Sequence, residues 1–87
     1  MAHIEDMDEY ARLYREALAS ELRSERESRG VTYEAMAAYT GMQIKTLHRY
    51  LSGERDVPFT RLHAVSDAIG VKLADLMRRV EDRINQP

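Results

Sequence analysis

The 87 residues carry 13 Lys and Arg against 15 Asp and Glu, three His and no Cys, for a formal charge of −2. A chain this short has room for a single hydrophobic core, and the lack of cysteine excludes a disulfide framework and a thiolate zinc site. No apolar run approaches the roughly 20 residues of a membrane-spanning helix, and Met1 to Tyr10 lacks the basic-then-apolar layout of a secretory signal, so a soluble cytoplasmic protein is expected.

Four glycines punctuate the chain. Gly30, Gly41, Gly53 and Gly70 each stand just beyond a helical pattern, where a left-handed C-terminal cap favours glycine. A long charged helix is expected over residues 6–28. A second, over 33–39, has Thr32 as its N-cap, the hydroxyl accepting from free N–H groups of the first turn. A third runs over 43–51, a fourth over 59–69 with Pro58 as its first helical position, and a fifth over 73–84. In the fourth, Phe59, Leu62, Val65 and Ile69 recur at three- and four-residue intervals and should form one inward stripe, which Val71, Leu73, Leu76 and Met77 extend. No alternating strand pattern competes, so the expected fold is all-α.

Residues 32–53 place two short helical patterns around one glycine turn, the spacing of a helix-turn-helix. Met36 and Ala37 face inward on the first, Leu47 with Tyr50 or Leu51 on the second, and Ala37 is small enough to sit beneath a crossing helix. Between the inward positions of the third helix stand Gln43, Lys45, His48 and Arg49, a face that suits a DNA groove. Charge is distributed to match. Residues 1–28 hold eight acids and four bases, whereas residues 29–79 hold eight bases and five acids, so the basic excess coincides with the helix-turn-helix and the acidic first helix faces away from DNA.

Several pieces occur in a specific order: Leu22 with Arg26; Arg29, Gly30, Val31 and Thr32; Met36 and Ala37 with Gly41; Thr46 and Leu47; Arg49 and Tyr50 with Gly53; Val57, Pro58 and Phe59; and Ala68 to Val71 with Leu73. Together they resemble the phage-repressor and Cro type of helix-turn-helix, also called the xenobiotic-response-element type, over about two-thirds of the chain. The resemblance implies a five-helix, lambda-repressor-like domain that binds double-stranded DNA, usually as a two-fold homodimer on a palindromic operator, with the third helix in the major groove. Near the start of that helix Gln43 can present its amide to adenine and Ile44 an apolar surface to a thymine methyl. Lys45 and Arg49, four apart, reach the same groove, and His48 beside them meets a base edge or phosphate. Thr32 and Tyr33 at a helix N-terminus, and Arg55 in the loop after the third helix, are phosphate candidates, with Glu54 and Asp56 cancelling Arg55 locally.

Three positions depart from the family pattern. Gln43 stands where a Ser or Thr cap is common, Thr40 where an aliphatic residue is usual, and Leu51 where a glutamate often pairs with the arginine at Arg26. Thr40 then makes either a polar contact at the turn or a looser core.

The chain divides into an N-terminal helical extension (1–16), the domain proper (17–80) and a tail (81–87). On the extension Ile4, Ala11 and Leu18 repeat at seven, as do Met7 and Tyr14, and at the other end Val80 and Ile84 continue an apolar stripe. Each stripe either forms a dimer contact or packs on its own domain. Enzymatic patterns are lacking: His3, His48 and His63 are scattered, no metalloprotease helix or glycine-rich phosphate loop occurs, and no metal, cofactor or small-molecule ligand is indicated. A transcriptional repressor is the leading expectation; the alternative is an antitoxin or adaptor of the same fold that contacts protein.

Overall fold

A computed structural model describes the backbone of residues 4–86 and the side chains of residues 8–86. Five helices follow one another: α1 (Ile4–Arg29), α2 (Tyr33–Thr40), α3 (Ile44–Ser52), α4 (Phe59–Ile69) and α5 (Leu73–Ile84), with no strand among the described residues. The fold is all-α. With 26 residues, α1 is about 39 Å long at 1.5 Å per residue. That length accounts for most of the 43 Å long axis of a body only 21 × 18 Å across. No described helix is long and apolar enough to cross a membrane.

Each helix contributes to one centre. Leu22 from α1, Met36 from α2, Leu47 and Leu51 from α3, Val65 from α4, and Leu76 and Val80 from α5 are all fully buried. α1 packs against α3, α4 and α5, while α2 packs against α3 and α4. The two helices of the helix-turn-helix are therefore seated on a frame made by the other three. Truncating Leu47 or Leu22 to alanine removes atoms from a site with no solvent beside it, a loss of about 2–5 kcal/mol.

Local chemistry sets the helix ends. The Thr32 hydroxyl accepts from Ala35 N at 3.0 Å, and Gly41, at φ 74°, donates its N–H to Ala37 O at 2.8 Å. Thr40 resolves its two alternatives in favour of a polar contact: its hydroxyl donates to Met36 O (2.8 Å) and accepts from Met42 N (3.1 Å), bridging the turn. Gln43 adopts the extended N-cap conformation of α3 without a side-chain capping bond. Gly53 ends α3 at φ 80°, and a Cβ there would stand 3.4 Å from the Ala19 Cβ of α1. Substitution by alanine would incur the left-handed backbone penalty of about 1–2 kcal/mol and crowd the α1 contact as well.

Three expectations are corrected. Phe59 is 76% exposed, not part of the inward stripe that Leu62, Val65 and Ile69 do form. It is the first residue of α4, and side chains there lean back over the preceding turn and away from the core. Pro58 is not helical but the residue before the helix (ψ 142°), its carbonyl accepting from Arg61 N and Leu62 N. α3 begins at Ile44, one residue later than its pattern indicated, because Gln43 is extended.

Candidate nucleic-acid interface

α3 has one face in the core and one in solvent. Leu47, Tyr50 and Leu51 are buried. At 100° per residue Lys45, His48, Arg49 and Ser52 fall on the opposite side, with Ile44 on its flank. Gln43, Ile44, Lys45 and His48 are exposed and Arg49 is half-exposed, so all five residues proposed to reach bases lie on accessible surface of one short helix or its cap.

Contacts from neighbouring helices hold α3 in place. At its C-terminal end the Arg23 guanidinium of α1 donates to Leu51 O at 2.5 Å, meeting a carbonyl that has no partner inside the helix and the negative end of its dipole. Arg61 of α4 donates to the Tyr50 hydroxyl at 3.2 Å. On the solvent side the His48 ring stacks on Tyr33 of α2, centroids 3.8 Å apart and planes 23° from parallel. The Arg26 guanidinium lies 4.5 Å from the centroid of the same tyrosine ring and donates to Val31 O at 2.9 Å. Arg26, whose usual glutamate position is Leu51, has thus found an aromatic ring and a backbone carbonyl.

Ion pairing divides the molecule. On α1 and α5 Glu21 binds Arg83, Glu25 binds both Arg29 and Arg79, and Asp75 binds Arg78. Further along α1, Arg12 bridges Glu9 and Glu16, which raises the Arg12 pKa and lowers that of Glu9. Among the described residues none of Lys45, Arg49, Arg55 and Arg61 forms an ion pair. Asp56, expected to cancel Arg55, instead lies 3.5 Å from Arg15 of α1.

At the start of α2 the Thr32 hydroxyl serves Ala35 N, and the N–H groups of Tyr33 and Glu34 have no protein partner among the described residues. Arg61 is a residue that sequence reasoning missed. With Thr40, Gly41, Met42, Gln43 and Thr46 it lines a notch of about 440 Å³ beside the start of α3. Its outward position in α4 follows from the burial of Leu62, but its nearness to α3 depends on how α2, α3 and α4 pack, which helical periodicity does not encode.

The proposed dimer residues separate. Leu18 and Val80 are corrected: both are buried in the chain's own core, Val80 fully and Leu18 with 8% of its surface left where it lines a groove. Ile84 is half-buried and packs against the same core. Ala11, exposed, and Tyr14, half-buried, line an apolar groove of about 460 Å³ with Tyr10, Leu18, Phe59 and Leu62. Burial pushes the Tyr14 hydroxyl pKa up, with Glu81 and Tyr10 adding to the shift. The side chains of Ile4 and Met7 lie outside the described residues. Among the described residues no three His, Asp or Glu side chains come together as a metal site.

Residues 17–80 match the model of a family described as a helix-turn-helix domain. The chain is also similar to the solved structure of the clp gene regulator ClgR from C. glutamicum, with 30% identity and a TM-score of 0.73 over 82% of this chain and 91% of that one. No curated protein matches the chain in sequence.

Proposed function

The chain belongs to the helix-turn-helix domain family, and from that premise we propose that it is a sequence-specific DNA-binding transcriptional regulator of the phage-repressor and Cro type. In this reading it is a repressor that binds a palindromic operator as a homodimer, each subunit placing α3 in one major groove, with half-sites about 34 Å apart. The observation that carries it is electrostatic. Around α3 stand four cations, Lys45, Arg49, Arg55 and Arg61, without an acidic partner among the described residues, while Glu16, Glu21 and Glu25 of α1 are engaged by arginines of α1 and α5. Unpaired cations on an exposed face are the groups that can displace counterions from a phosphate backbone.

Roles follow from chemistry and position. Arg49 reads guanine through two parallel hydrogen bonds, Gln43 offers its amide to adenine, Ile44 meets a thymine methyl, and Lys45 reaches the same groove. Phosphates are taken by the free N–H groups at Tyr33 and Glu34, the hydroxyls of Thr32 and Tyr33, and the guanidinium groups of Arg55 and Arg61. The groove beside Phe59 and Tyr10, 76% and 54% exposed, is the dimer surface in this reading, with Ala11 and Tyr14 on its wall.

That groove also favours a second reading, in which the domain is an adaptor or antitoxin that captures a protein segment and binds DNA weakly. Selecting bound sequences from a random duplex pool separates the two. Recovery of a palindrome with two half-sites one DNA turn apart supports the repressor; failure to enrich any sequence supports the adaptor.

A further inference from the structure

α3 starts without a side-chain cap, since Gln43 makes no capping bond. Its inward residues fix its depth, and Arg23 and Arg61 hold its C-terminal half. On the solvent side, rotation about its own axis is opposed by an aromatic contact between helices, the stack of His48 on Tyr33. Tyr33 is in turn backed by Arg26, whose Nη1 is fastened to Val31 O just ahead of the α2 cap. The Arg26 Nε is buried without a hydrogen-bond partner, and the guanidinium carbon stands 4.5 Å from the ring centroid. Three layers, one from each of α1, α2 and α3, thus stand in a column beside the reading face.

We infer that this column of Arg26, Tyr33 and His48 sets the rotation of α3, so that His48 is a positioning residue for Arg49 and Lys45 and reads no base itself. The inference rests on the DNA-binding reading for its consequence and on the stack alone for its geometry. His48 lies next to Arg49 in the chain and three residues from Lys45, so the stack holds the backbone from which both cations project. A bidentate contact requires its donors to be placed within about 0.5 Å and 10–20°. A helix free to roll by that angle would carry a long arginine out of register with guanine while still letting it reach a phosphate. A flat aromatic at position 48 is what the column requires; ring nitrogens are dispensable.

The test compares His48→Phe, which keeps a stacking ring, with His48→Ala, which removes it. Both substitutions are at an exposed position. On the selected operator and on versions altered at the Arg49 base pair, His48→Ala lowers discrimination about tenfold, whereas His48→Phe stays within about twofold of the unaltered chain. Equal losses for the two variants would overturn the inference and return His48 to base reading. Amide hydrogen exchange without DNA decides the geometry independently. His48→Ala speeds exchange across α3 and His48→Phe does not; unchanged exchange in His48→Ala overturns the column. Should the unaltered chain enrich no duplex at all, the DNA-binding reading fails, and the exchange result still stands for or against the stack.

Discussion

The α1–α5 seam and the outer face of α3 are both rich in arginine and lysine, yet they differ in what those cations do. Along the seam Glu21 and Glu25, each with only 12% of its side chain exposed, hold Arg83, Arg29 and Arg79, and Arg29 also donates to Gly70 O at 2.7 Å. Around α3, Lys45, Arg49, Arg55 and Arg61 pair with no carboxylate among the described residues. The first arrangement fastens the terminal helix to the frame, and the second leaves charge available to a polyanion. A net charge of −2 conceals this difference, because it sums groups already neutralised with groups that are free.

The comparison can be broken from either side. Arg49→Ala is expected to have the largest effect, a loss of about 1–3 kcal/mol in operator binding concentrated at one base pair. Equal losses on every sequence would reassign Arg49 to phosphate. Arg61→Ala should weaken all duplexes alike and reduce the slope of log affinity against log salt by about 0.9, the share of one phosphate contact. Glu25→Gln acts on the opposite region. It should lower unfolding stability by about 1 kcal/mol, since its partners are partly solvated, and leave operator affinity unchanged. A large change in affinity would mean that the seam is not merely structural. Tyr33→Phe keeps the stacked ring and loses a hydroxyl, so a uniform loss of about 0.5–1.5 kcal/mol across sequences is expected. Loss confined to one base pair would place the hydroxyl on a base.

The helices were legible because glycine and hydrophobic spacing are local signals. Gly41, Gly53 and Gly70 do end their helices in left-handed conformations, and Leu47, Leu62, Val65 and Ile69 do turn inward. Spacing identifies a face but not what covers it. Leu18 and Val80 therefore looked equally suited to a partner and to the core, and only the packing of α1 on α5 shows that they are already buried. Phe59 fits the same periodicity as Leu62, yet it precedes the first complete turn and leans away from the core. On the candidate interface, the exposed row of α3 followed from its inward residues. The column through Arg26, Tyr33 and His48, the nearness of Arg61 and the diversion of Asp56 to Arg15 did not, because each joins helices separated along the chain.

Central to this account is that Arg55 and Arg61, unpaired cations beside α3, bind phosphate. Its most direct test is the salt dependence of duplex binding for the unaltered chain and for a variant carrying Arg55→Gln and Arg61→Gln. The account predicts a steep fall in affinity with rising salt, about 0.9 in slope for each phosphate engaged, and a slope shallower by about 2 in the double variant. A flat salt response of the unaltered chain, or the same slope in both, would contradict it.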